Sequence, residues 1–199
     1  MILMRERDTR ILNDLSRFRC LSRDDLIDLH FSGLAKGVSR ANEVLRRLVD
    51  RGLIKVDRTH SPYLYFPAEF NVNTASQKID HFRGIFKVYK DLRKNGLLER
   101  FDVEPKLGPK GTVEPDIFTI WKRAPFFIEV QQSNYINSVI TKKLARYERY
   151  KYSREWEKLD WQRPGKKYFP NVWIIGERRI EGAGVLQTRS VEELLQTKR

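Results

Sequence analysis

The chain reads as an α+β protein in two parts, on two observations. Residues 1 to about 70 carry three segments of helical apolar period and then two short strand runs around a polar turn. Residues 76 to 176 run in the order helix, strand, strand, strand, helix, strand. A third observation bears on partners. With 39 Lys and Arg against 26 Asp and Glu, the 199 residues carry a formal charge of +13. Residues 1–70 hold 13 basic and 10 acidic side chains, leaving +3 there and +10 in the remainder. Such a balance favours a polyanion.

Composition excludes several classes. A 40% hydrophobic content supports a real core in one ordinary domain or two small ones. No apolar run approaches the roughly 18–20 residues that cross a bilayer, so no membrane association is expected. The Met-Ile-Leu-Met start turns charged too quickly for a signal peptide, which predicts a cytoplasmic protein. Cys20 is a single cysteine, and no Cys/His cluster has zinc-ligand spacing.

In the first part, Ile11, Leu12, Leu15 and Phe18 recur at helical spacing and predict a helix over Glu6–Phe18. Ser22 is placed to cap a second helix whose first turn carries Asp24 and Asp25, suited to the positive end of the helix dipole. Ser39 is expected to cap a third helix ending at Gly52, with Ala41, Val44, Leu45 and Leu48 as its apolar stripe. Leu53–Val56 and Tyr63–Phe66 then flank a polar tip, as in a hairpin. Three short helices and a hairpin make a winged helix-turn-helix, assigned to residues 1–70. The run Val44–Ile54 resembles the recognition-helix end of many winged-helix DNA-binding domains, whose third helix enters the major groove. That resemblance implies Arg40, Asn42, Glu43, Arg46 and Arg47 as DNA contacts, with Arg58 and His60 on the wing. The competing reading is a protein-interaction winged helix whose charges form a solvated face.

The helical period is lost over Pro67–Thr74, which sets a second domain at 71–199. Ser76 is expected to cap a helix reaching Asn95-Gly96, and Leu97–Glu104 reads as a strand. A basic Gly/Pro-rich loop over 105–111 contains Lys110. Two apolar runs follow, Val113–Phe118 opening on Pro115-Asp116 and Phe126–Gln131 ending in Glu-Val-Gln. Because side chains alternate along a strand, Phe127, Glu129 and Gln131 share one face. If the runs pair, Asp116 and Glu129 converge, and the usual relief for such carboxylates is a divalent cation. A helix over 135–158 carries Lys142, Lys143, Arg146, Arg149 and Lys151 as a basic cluster. Val172–Ile175 reads as a central strand, and a short helix starts near Ser190.

Pro115-Asp116, twelve residues, then Glu129-Val130-Gln131 resembles the PD-(D/E)XK nuclease signature, with Gln131 where the family usually has lysine. The resemblance implies an α/β restriction-endonuclease-like domain, Mg²⁺ (or Mn²⁺ in its place) on Asp116 and Glu129, and a water positioned by Gln131. Lys142 or Lys143, reaching back from the next helix, would supply the missing charge. The two parts together resemble the replication-relaxation family of plasmids and mobile elements, on Pro-Asp, a strand with Glu, and Lys142-Lys143-Leu144-Ala145-Arg146-Tyr147. The expected partners are double-stranded DNA, on the charge balance and the winged-helix likeness, with Lys110 and Arg146 as further DNA-binding candidates, and replication proteins. A homodimer would suit a palindromic site. Three readings stand: a metal-dependent DNA endonuclease, a non-catalytic DNA-binding regulator using the nuclease-like domain as a basic platform, and an adaptor in a replication complex.

Overall fold

In the computed structural model the described residues are 4–71, 77–131, 137–181 and 183–196. They form a mixed α+β chain of six α-helices and two sheets, divided into two compact units at Phe86/Lys87. Among them no helix is long and apolar enough to cross a membrane.

The first unit opens with α1 (Glu6–Phe18), which buries Ile11, Leu15 and Phe18 at i, i+4 and i+7. Asp8 lies on the same buried face at 2% exposure. A buried carboxylate requires a partner, and Arg47 of α3 (Gly37–Asp50) supplies it, with Nη2 at 2.7 and 2.8 Å from the two Asp8 oxygens. Between them, β1 (Leu21–Ser22) leads into α2 (Arg23–His30). Ser22 Oγ accepts the Asp25 N–H while the Asp25 carboxylate accepts the Ser22 N–H, a reciprocal capping box at the expected residue. Helix α3 has Lys36 as its N-cap, three residues before the expected Ser39, with no side-chain cap. Its buried stripe is Ala41, Val44, Leu45 and Leu48, as the spacing predicts.

Strands β2 (Ile54–Asp57) and β3 (Leu64–Pro67) form the hairpin, and β1 adds antiparallel to β3, giving the order β1-β3-β2. At the tip, Asp57 Oδ1 accepts both the N–H and hydroxyl of Thr59, and Oδ2 meets His60 Nδ1 at 3.0 Å. The two-residue β1 is too short for any alternation to be legible in the sequence.

Helix α4 (Gln77–Lys94) carries apolar residues broadly enough to serve both units. The expected cap Ser76 and most of the expected linker lie outside the described residues. The division between the two units falls inside α4, between Phe86 and Lys87. Its first half contributes Ile79 and Phe82 to a cluster with Cys20, Leu64 and Phe66, and Phe86 meets Phe18 edge-on at 4.9 Å. In its last turns the Leu92 carbonyl accepts the Trp121 indole N–H at 2.9 Å, and Tyr89 packs on Phe101.

Burial holds the Cys20 thiol up at about 12 against an ordinary 9.0. Two results are expected. Native protein resists a thiol reagent that labels Cys20 after denaturation. An acid whose folded pKa is raised destabilises the fold once the unfolded form ionises, so this contribution to stability falls between about pH 9 and 12. Chemical denaturation of wild type and Cys20→Ala across that window checks the second result, because the variant lacks this decline.

The second unit is a five-stranded sheet in the order β4 (Leu98–Val103), β5 (Ile117–Trp121), β6 (Ala124–Val130), β7 (Asn171–Ile175), β8 (Leu186–Thr188). The first two pairings are antiparallel and the last two parallel. One face carries Phe101, Trp121 and Trp173 toward the last turns of α4. The other carries Phe118 and Phe127, covered by α5 (Asn137–Ser153), whose Tyr147 and Tyr150 join that core with Trp156 from the 3-10 turn Glu155–Lys158. The expected helix over 135–158 is therefore shorter; it breaks at Arg154, which takes a left-handed φ of 59°. Strand β8 has no apolar alternation to announce it. It is fixed by pairing with β7 and by the Trp173 indole N–H donating to Thr188 Oγ1 at 2.9 Å. The terminal helix α6 (Val191–Gln196) begins next to the expected Ser190.

Candidate functional site

The register of β5 against β6 builds the site. Ile117 faces Ile128 and Phe118 faces Phe127, so continuing one step beyond the last pair sets Asp116 opposite Glu129. Directly opposed residues point to the same face, here the face covered by α5. Asp116 is pinned through both backbone and side chain: its carbonyl accepts the Glu104 N–H at 2.9 Å, and Oδ2 accepts the Val130 N–H at 2.8 Å.

From α5, Lys143 and Tyr147 stand at i and i+4, on one helix face. The Lys143 ammonium donates to Asp116 Oδ1 at 2.9 Å and to Glu129 Oε2. The Tyr147 hydroxyl donates to Glu129 Oε1. Each of the four carboxylate oxygens thus has a protein donor. Glu129 is 2% exposed and Tyr147 is equally buried.

Burial first, and then the Asp116 charge, push the Glu129 carboxyl well above the ordinary glutamate range, while Lys143 and Tyr147 pull it back. For Lys143, burial works against the charged form, but Asp116 and Glu129 more than offset it and the ammonium is held above its ordinary value. Burial and the Glu129 charge both raise the Tyr147 phenol, which keeps its proton and remains a donor. The cluster is an ion pair shared between two carboxylates, closed by neutral donors.

Of the residues expected to act together, Asp116, Glu129 and Lys143 do meet. Lys142 and Arg146 are exposed on α5, and only one of the two candidate lysines enters the site. Gln131 donates its N–H to the Ile175 carbonyl at 2.8 Å and packs against Gly176, where a Cβ would lie 2.6 Å from its own Cβ. Glycine at 176 leaves that side chain its place. Tyr147, the last residue of the Lys-Lys-X-X-X-Tyr run and given no site role from the sequence because its spacing marks it equally as core, joins the site through its i+4 relation to Lys143.

Among the described residues no group of three or more His, Cys, Asp or Glu could hold a metal ion. Mg²⁺ takes six oxygen ligands in near-octahedral array. Here two carboxylates converge on an ammonium, and their oxygens already have donors. As arranged, the described residues do not fit a divalent ion.

The expected DNA contacts divide by burial. Arg40, Asn42, Glu43 and Arg46 are exposed on α3, Arg58 on the hairpin tip and Lys110 in the loop before β5. Arg40 pairs with Glu43 at 3.0 Å, and Arg46 lies 3.8 Å from Asp50. Arg47 is turned inward onto Asp8, and His60 is held by Asp57. The reason for Arg47 is position: it is one residue from Leu48, on the edge of the buried stripe, and a carboxylate waits there.

Comparison of the chain with protein-family models, with curated proteins and with solved structures finds no match.

Proposed function

We propose that the chain is a DNA-binding protein of plasmid or mobile-element replication or processing, in which a winged helix reads duplex DNA and a PD-(D/E)XK-like domain adds phosphate contacts without hydrolysis. The carrying observation is the outer face of α3. Arg40, Asn42, Glu43 and Arg46 are exposed there while Ala41, Val44, Leu45 and Leu48 are buried beneath. The order α1, β1, α2, α3, β2, β3 with a hairpin beyond the third helix agrees with a winged helix. In such domains the third helix supplies groove contacts and the wing reaches backbone. The exposed pairs Arg40–Glu43 and Arg46–Asp50 are weak enough for phosphate to displace. In the second unit, the α4, β4, β5, β6, α5, β7 order agrees with the nuclease-like core, and Lys142, Arg146 and Arg149 form an exposed basic stripe on α5.

The endonuclease reading draws on the meeting of Asp116 and Glu129. The ammonium between them favours the non-catalytic platform.

Fluorescence anisotropy with a labelled duplex tests the reading. Affinity is expected to fall linearly in log K against log salt, with a slope of about −0.9 per neutralised phosphate. Arg40→Ala/Arg46→Ala should weaken binding and shallow that slope by about 1 for each phosphate contact removed, with unchanged melting. Salt-independent or absent binding would leave the adaptor reading. Metal-dependent plasmid nicking lost in Asp116→Ala would restore the nuclease.

A further inference from the structure

We infer that Lys143 is the site's own counter-ion: its ammonium takes the position of a divalent cation between Asp116 and Glu129, so the wild-type chain is indifferent to Mg²⁺ and removal of that ammonium opens a divalent-ion site. The non-catalytic reading above rests partly on the same lysine, but DNA binding does not.

Two carboxylates directly opposed across an antiparallel pair, one of them buried, repel each other, and the repulsion is relieved by a proton on one of them or by a cation between them. A divalent ion would need open oxygen lone pairs converging from several directions. Instead one nitrogen bridges Asp116 Oδ1 and Glu129 Oε2, and the outward oxygens are taken by the Val130 N–H and the Tyr147 hydroxyl. Hydrogen bonds of ammonium to carboxylate in a water-poor site are among the strong ones. The lysine is anchored covalently beside its partners, so an ion in solution must displace a tethered competitor that never dilutes away.

The same geometry says what happens when the competitor is removed. In Lys143→Ala, Asp116 Oδ1 and Glu129 Oε2 lose the ammonium that bridges them, and the volume of the removed stem is freed beside them. Asp116 stays pinned by Val130 and by the Glu104 N–H on its carbonyl, and Glu129 stays oriented by Tyr147. The two ligands are therefore preorganised. The variant's fold lacks a cation that a dissolved ion can provide, and ligand binding to the native state alone raises stability in proportion to RT ln(1 + [L]/Kd).

The test uses the full chain with MnCl₂ and MgCl₂, at ionic strength matched with KCl. Electron paramagnetic resonance counts bound Mn²⁺, and thermal melting follows both ions. Expected are no wild-type binding at millimolar Mn²⁺ with unmoved melting, and in Lys143→Ala one bound Mn²⁺ per chain with melting raised by several degrees. Lys143→Ala/Glu129→Gln should lose both effects. A Lys143→Ala chain that folds only when Mn²⁺ is added also supports the inference. Should it stay unfolded in Mn²⁺, Lys143→Gln, which keeps a neutral donor to both carboxylates, is measured instead and must bind Mn²⁺ more tightly than wild type. Wild-type Mn²⁺ binding lost in Glu129→Gln would overturn the inference, as would folded lysine variants with no gain in affinity. No arm contains DNA, so these outcomes are independent of whether the chain binds a duplex.

Discussion

Lys143→Met is expected to lose about 3 kcal/mol of folding free energy at neutral pH, measured by urea denaturation. Removing one partner of a buried ion pair costs roughly 3–5 kcal/mol because the other charge is left without compensation. The lower end applies, since the Lys143 side chain keeps 23% exposure. Glu129, at 2% exposure, would then face Asp116 with only the Tyr147 hydroxyl as a donor. The loss depends on pH in a direction fixed by the site. Burial and the Asp116 charge hold the folded Glu129 carboxyl above its unfolded value. With a raised acid the folded state binds more protons, so stability falls as pH rises through that interval. Lys143→Met deepens this effect, and its deficit should shrink as pH is lowered toward the ordinary glutamate range of about 4.3. Wild type behaves differently at the alkaline end. The Lys143 pKa is raised by its partners, so its contribution is full below the ordinary 10.5 and is lost as pH climbs through the folded value. Lys143→Met/Glu129→Gln should recover most of the deficit. A single variant as stable as wild type at pH 7 would mean the pair is not ionised in the fold.

Arg47→Met should cost a similar amount, about 3 kcal/mol, through Asp8. That carboxylate is 2% exposed and both its oxygens are held by one guanidinium nitrogen. Without Arg47 it must stay charged in an apolar setting or take up a proton, and either route weakens the fold. Asp8→Asn/Arg47→Met is expected to regain part of the loss, because an amide is cheaper to bury than a charge. The same experiment separates two roles for arginines on one helix. Arg47→Met is expected to lower the melting temperature, whereas Arg40→Ala and Arg46→Ala, both on the exposed face, are expected to leave melting unchanged and, on the proposed DNA-binding reading, to act on duplex affinity. An Arg47→Met chain that melts like wild type yet binds DNA poorly would return Arg47 to the groove.

The sequence by itself determined most elements and much of the candidate site. Helical spacing bounded α1 at Glu6–Phe18, Ser22 as N-cap set the start of α2, and the α3 stripe was read to the residue. These are local properties: a side chain's face on its own element follows from periods of 3.6 and 2. The meeting of Asp116 with Glu129 was legible for the same reason, since a short turn between two strands leaves few registers.

Tertiary structure alone decided which charges are inside. Lys142 and Lys143 are neighbours of one type, and only their separation of about 100° around α5 sends one to the carboxylates and the other outward. Arg47 and Asp8 are 39 residues apart, so neither reveals that the other neutralises it. Strands β1 and β8 are too short to carry a period and exist because a neighbour pairs with them. The division within α4 has the same origin. A broad apolar stripe states that a helix is covered on several sides, but what covers each half is settled by long-range packing.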